Sequence, residues 1–235
     1  MTVPIRDAAT VVLLRDGTSG VEVWLLTRVA RMAFAAGMTV FPGGRVEASD
    51  ADLPWAGAPP ADAALVGAAV RETFEETGVL LGVSGLDLGS ARADVEAGRL
   101  GFGELLRSHS AAVDPSGLHP WARWVTPEGE PRRYDTRFFV AALPAGAQPA
   151  AVTSEAEHAG WLGVTAALAE RERGERAMMP PTLVTLGSIA DCATVTDVIA
   201  AAAGRSMEPV HPVLHVDADG ARVELPDGTS MRFPA

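Results

Sequence analysis

The residues most able to do chemistry lie in Arg71-Glu72-Thr73-Phe74-Glu75-Glu76-Thr77-Gly78-Val79, where three carboxylates and one arginine share a short apolar-flanked stretch. On a helix, at about 100° per residue, Glu72, Glu75 and Glu76 fall within about 60° of one another. Glu72 and Glu76 are then a like-charged i,i+4 pair, costing about 0.2 to 0.5 kcal/mol on an exposed helix and more where water is excluded. Such a face calls for positive charge, and a hard divalent cation is the natural candidate. Upstream, Phe41-Pro42-Gly43-Gly44-Arg45-Val46-Glu47 leads an apolar run into a Gly-Gly turn. Two adjacent glycines let the backbone come close to a ligand and present carbonyl oxygens to a metal. The plain alternative is a solvated helix face with ordinary Arg71 to Glu75 pairing; the glycines on both sides weigh against it. Gly78 also suits a helix end, where glycine takes the left-handed conformation. Arg71 reads as an orienting partner that holds a glutamate by a charge-assisted hydrogen bond.

These side chains need elements to carry them. Ala9 to Leu14 and Val21 to Thr27 are apolar, β-branched runs around Asp16-Gly17-Thr18-Ser19-Gly20, which predicts a β-hairpin. A short apolar run, Met38 to Phe41, enters the Gly-Gly turn. Leu65, Ala68, Ala69 and Phe74 within Ala61 to Thr77 fit a helix with one side packed on a sheet. Two short helices are expected near Ala91 to Ala97 and Gly103 to Ala111, and strands over Trp121 to Thr126 and Thr136 to Leu143. Trp161-Leu162 opens a further segment before a charged helix, Ala166 to Arg176, that Pro180-Pro181 stops. Leu183 to Ala203 reads as one last helical stretch, with Cys192 inside it, followed by a hairpin from Val213 to Leu225. The weakest boundary lies near residue 175.

The chain has 235 residues, 48% of them apolar, enough for a sizeable core. There is no run of eighteen uncharged apolar residues and no basic-then-apolar leader at Met1 to Asp7, so a cytoplasmic protein is expected. A net charge of -11 argues against nonspecific binding to nucleic acid or an acidic membrane, and Cys192 alone makes no internal disulfide.

Gly44, Glu47 and the Arg-Glu-x-x-Glu-Glu-x-Gly run together resemble a Nudix box, the signature of hydrolases acting on a nucleoside diphosphate linked to another group. Asp50 takes the box's first acidic position, and residues 51 to 70 separate it from Arg71. The resemblance therefore includes an insertion at about 51 to 63, whose Leu53-Pro54-Trp55-Ala56-Gly57-Ala58-Pro59-Pro60 reads as a loop. The fold implied is α/β, a Nudix α/β/α sandwich with a mixed sheet over residues 1 to 175, plus a C-terminal helical and β-hairpin extension over 176 to 235. Leu25-Leu26-Thr27-Arg28 ahead of Gly37-Met38-Thr39-Val40-Phe41-Pro42-Gly43-Gly44, then Trp124-Val125-Thr126-Pro127 and Arg132-Arg133-Tyr134-Asp135-Thr136-Arg137-Phe138-Phe139, resemble the coenzyme A diphosphatase subgroup. Ala36-Gly37-Met38 departs from that subgroup's usual Pro-Gly-Glu.

The resemblance implies Mg2+, or Mn2+, held by Glu72, Glu75, Glu76 and the Gly43 carbonyl. It draws the general base from Glu72 or from a later loop, here Glu155 or Glu157, with Arg71 as an orienting residue. Arg28, Arg31, Arg132 and Arg133 are the candidates for reading substrate phosphates. Coenzyme A or an acyl-coenzyme A is the preferred substrate, with ADP-ribose, NADH and dinucleoside polyphosphates as alternatives. A non-catalytic nucleotide sensor is the alternative of another class, and a homodimer through residues 176 to 235 the alternative assembly.

Overall fold

The computed structural model describes residues 3–29, 37–150, 156–217 and 220–233. The hairpin forms as the apolar runs require: β1 (Ile5–Gly17) returns through a tight turn into β2 (Gly20–Arg28), with Gly17 opposite Gly20. β3 (Thr39–Val40) lies antiparallel to β2, and β4 (Gly43–Arg45) folds back antiparallel along the first half of β1. After a 3-10 turn over Ala48–Asp52 comes α1 (Ala63–Thr77), which carries the acidic run. α2 (Arg92–Glu96) and α3 (Phe102–Ser108) follow, then β5 (His119–Val125) antiparallel to β6 (Arg133–Ala142). β6 runs parallel to β1 over ten residue pairs, and β7 (Ala156–Gly163) adds antiparallel to β2. The seven strands form one mixed sheet with the path β3-β2-β1-β6-β5.

Alternation along the strands sorts side chains onto two faces. Ala9, Val11 and Leu13 of β1 and Phe139 and Ala141 of β6 bury against Phe74, Val70 and Ala69 of α1. Val12 and Leu14, with Val23, Phe138 and Val140, face the other way. That second face is covered by α4 (Val164–Glu172), α5 (Pro180–Ile189) and α6 (Val195–Ala202), which supply Ala167, Leu186, Ile189 and Val198. The result is an α/β/α sandwich with β1 buried on both sides.

Several details differ from the expectations. Leu183 to Ala203 is two helices, because Thr194 and Asp197 form a reciprocal capping box that starts α6 afresh. Cys192 consequently lies in the connection between helices, half-buried. Pro180 and Pro181 open α5, where proline's missing N–H costs nothing, and α4 ends earlier, at Glu172. The terminal hairpin, β8 (Val213–Asp217) and β9 (Gly220–Glu224), gains a third strand, β10 (Ser230–Phe233), that sequence reading missed. The insertion is a loop as expected, with no helix or strand between Asp52 and Ala63, but it is tied down: Leu53 is buried, Trp55 bridges Val113, and the Arg107 guanidinium donates to the Asp52 carbonyl. Among the described residues no helix is long and apolar enough to cross a membrane.

Candidate active site

α1 presents its acidic run because its other sides are fully committed. Val66, Ala68, Ala69, Val70, Phe74 and Thr77 bury on the sheet, while Thr73 and Thr77 return their hydroxyls to the carbonyls of Ala69 and Thr73. Gly78 closes the helix with a left-handed φ of 76° and donates to the Phe74 carbonyl at 2.8 Å. The last carbonyls find other donors, Arg92 Nε for Glu75 at 2.8 Å and the Ala150 amide for Thr77 at 2.8 Å.

Arg71 is the hub of the site. It is 6% exposed and gives Nε and Nη2 to the two carboxylate oxygens of Asp50, itself 1% exposed, at 2.7 and 3.0 Å. The same guanidinium donates to the Arg45 carbonyl at 2.9 Å, to Glu72 Oε1 at 2.9 Å and to Glu75 Oε2 at 3.2 Å. One cation thus ties the Gly-Gly segment, the start of the insertion and two helix carboxylates together. Burial alone would lower its pKa, but the hydrogen bonds and negative charge of Asp50, with Glu72 and Glu75, push it up instead. Sequence reading found Arg71 as an orienter and missed Asp50 as its anchor. The insertion masks the signal, since the two residues stand 21 apart.

The Gly-Gly turn meets the same helix face. The Gly43 amide donates to Glu76 Oε2 at 2.8 Å, and a Cβ added at Gly44 would fall onto the Glu72 carboxylate. A Cβ at Gly43 would fall onto the Ala9 carbonyl, a fixed backbone atom, so this approach is open only to glycine at 43, whereas the Glu72 carboxylate facing Gly44 is the end of a flexible side chain. Glu75 is raised from 4.5 to about 7 by burial, only partly offset by Arg71, with Glu72 and Glu47 adding negative charge. Among the described residues no three acidic, histidine or cysteine side chains converge on one point. Glu72 and Glu75 are turned toward Arg71 and Glu76 toward the Gly43 amide. The donor set still suits a hard divalent cation: oxygen ligands only, partly desolvated, and with more negative charge than Arg71 neutralises.

The other candidates spread out. Arg28 ends β2, half-buried, across from Ala156 of β7, and Glu157 is exposed beside it on β7. Arg31 and Glu155 lie outside the described residues. Arg132 is exposed at the β5–β6 turn, and Arg133 donates to the Thr126 carbonyl at 3.1 Å within that hairpin. Trp121 and Trp124 are buried core residues.

A mixed sheet between helical layers, with a carboxylate-bearing helix set against a Gly-Gly turn, defines a Nudix hydrolase. The family model of the NUDT19 Nudix domain matches residues 56–189, from within the insertion to the end of α5. The chain belongs to that family. It is similar to nudix hydrolase 7 of Caenorhabditis elegans, at 30% identity over 77% of this chain and 59% of that protein's length. It is also similar to the acyl-coenzyme A diphosphatase NUDT19 of Gallus gallus, at 25% identity over 94% of this chain and 78% of that one. Among solved structures, a NUDIX hydrolase from Alicyclobacillus acidocaldarius superposes with a TM-score of 0.76 at 31% identity, covering 89% of this chain and all of that one.

Proposed function

We propose that this Nudix hydrolase uses a divalent cation, Mg2+ or Mn2+, to cleave the pyrophosphate bond of coenzyme A or an acyl-coenzyme A, giving 3',5'-ADP and (acyl-)4'-phosphopantetheine. The observation that carries the metal dependence is the convergence of α1 and the Gly-Gly turn, where burial raises Glu75 to about 7 in spite of Arg71. Glu72, Glu75, Glu76 and the Gly43 carbonyl are the proposed ligands. When bound, the cation lowers the pKa of water, shields the phosphate oxygens and favours departure of the leaving phosphate. Arg71 fixes Glu72 and Glu75 through Asp50, and Gly43 fixes Glu76. Glu72 is the proposed general base from the helix, with Glu157, on β7, and Glu155 the proposed alternatives. Arg28, which ends the strand before the box, is the first candidate for a substrate phosphate; Arg31, Arg132 and Arg133 follow it.

Two things support the substrate choice: the order of motifs around the box, and the acyl-coenzyme A diphosphatase relatives that align over most of this chain. The test is product analysis by mass spectrometry after incubation with coenzyme A, ADP-ribose, NADH and diadenosine polyphosphates, with and without Mg2+. Metal-dependent 3',5'-ADP and 4'-phosphopantetheine are expected. AMP from another substrate would overturn the coenzyme A assignment, and no metal-dependent product from any of them would overturn the metal site.

A further inference from the structure

We infer that Arg176 is a positioning residue for the metal-binding turn, reaching it from beyond the catalytic sheet through Thr39; this rests on the proposed metal site. β3 is only two residues long, and three residues after it comes Gly43, whose amide holds Glu76. A strand this short, paired on one side, is weakly held. The chain after α4 supplies the other side. Gly174, at φ 74°, turns the backbone, and the Thr39 amide donates to the Ala177 carbonyl at 2.7 Å while Thr39 pairs in parallel with Met178. The outer edge of β3 is thereby held at one residue pair.

Arg176 fastens this junction with its side chain. Its Nε donates to Glu170 Oε2 of α4 at 2.8 Å, which sets the guanidinium so that Nη1 reaches the Thr39 hydroxyl at 3.3 Å. Thr39 is 2% exposed, so its hydroxyl has little access to water as an alternative partner. On the next residues, Met178 and Phe41 are buried in the same apolar cluster. The Pro42 carbonyl then accepts from the Val11 amide at 2.8 Å, and Gly43 lies opposite Thr10. A polar bolt at residue 39 and an apolar anchor at residue 41 thus set where the turn begins. Arg176 hydrogen-bonds to Glu170 and to Thr39, and acts on the turn through β3.

The test uses the full-length protein as wild type, Arg176→Ala, Arg176→Lys and Thr39→Val. Amide hydrogen exchange without metal is read at residues 39–44 and at residues 12–14 of β1, which do not pair with that segment. Mg2+ dependence of coenzyme A hydrolysis is read in parallel. Arg176→Ala should speed exchange at 39–44 by roughly tenfold while leaving β1 unchanged, the signature of local rather than global opening. It should also raise the Mg2+ concentration for half-maximal rate several-fold, with little change in KM for coenzyme A at saturating Mg2+. Arg176→Lys should restore part of both effects. Thr39→Val, which removes the acceptor and keeps a β-branched residue, should reproduce the loosening. Unchanged exchange at 39–44, equal acceleration in β1, or a lysine variant no better than alanine would each overturn the assignment. The exchange result decides the positioning role even if wild-type protein proves inactive on coenzyme A, so failure of the substrate reading stays distinguishable.

Discussion

At the scale of single residues, the Asp50–Arg71–Glu72/Glu75 cluster is organised by desolvation. Asp50→Asn keeps the shape but removes the buried charge opposite Arg71; breaking such a pair costs about 3 to 5 kcal/mol. Urea unfolding should show a loss of that order, accompanied by a fall in turnover as Glu72 and Glu75 lose their fixed partner. Stability within 0.5 kcal/mol of wild type, roughly the range of a neutral surface change, would contradict the role of Asp50. Glu75 makes a prediction with a definite sign. Its folded pKa, about 7, stands above the ordinary 4.5, so the folded protein binds this proton more tightly than the unfolded chain. The resulting stability is fully present below about 4.5 and is lost as pH rises through about 7. In EDTA, wild-type Tm should therefore fall relative to Glu75→Gln between pH 5 and pH 8, and a constant difference would refute the shift. With Mg2+ present, the same Glu75→Gln protein should lose most turnover while remaining folded, since it lacks a proposed ligand charge; near-wild-type rates at saturating Mg2+ would reject the site.

Among the elements, the sequence was most readable where pattern and packing agree. α1 emerges from Leu65, Ala68, Ala69 and Phe74 because the same apolar face that suggests a helix is the one that buries. Gly78 marks its end because no other residue takes that φ at so little cost. Carboxylate spacing on α1 and the Gly-Gly turn made the candidate site legible, while its buried partner Asp50 was hidden by the inserted residues. Reading failed where local signals conflict with tertiary context. Pro180-Pro181 stops one helix or starts another depending on where the chain is going, and β10 has too short an apolar pattern to stand out without β9 beside it. The insertion is the loop that its Pro-Gly composition suggests, but composition did not show that Leu53 and Trp55 pin it against α3 and Val113. Because it joins Asp50 to α1, its free portion can shape the approach to the site without supplying ligands. Trimming residues 53 to 60 should reorder the preference among coenzyme A, ADP-ribose and NADH more than it changes Mg2+ affinity, measured as relative kcat/KM and metal titration. An unchanged ranking would remove the insertion from substrate selection.

For the whole molecule, the question is whether residues 176–235 form a separable appendage, as the weak boundary near 175 suggests. The packing argues for dependence in one direction at least. Val12, Leu14, Val23, Phe138 and Val140 share one core with Leu186, Ile189 and Val198. Removing the cover would expose these side chains, each worth about 1.5 to 3 kcal/mol when fully buried. The sum is comparable to the whole stability of an ordinary domain, about 5 to 15 kcal/mol. Further ties cross the same boundary: Asp16 at the first hairpin accepts from the Val195 amide at 2.8 Å, and Trp121 Nε1 donates to the Ser188 hydroxyl at 3.0 Å. We therefore propose that the extension completes the catalytic fold. The full chain should unfold in a single calorimetric transition, and a chain ending at Glu175 should be recovered insoluble or without cooperative unfolding. A soluble 1–175 fragment with wild-type Tm and Mg2+ affinity would show instead that the sheet needs only α1 to fold, and that the second layer evolved as cover for a face already stable without it.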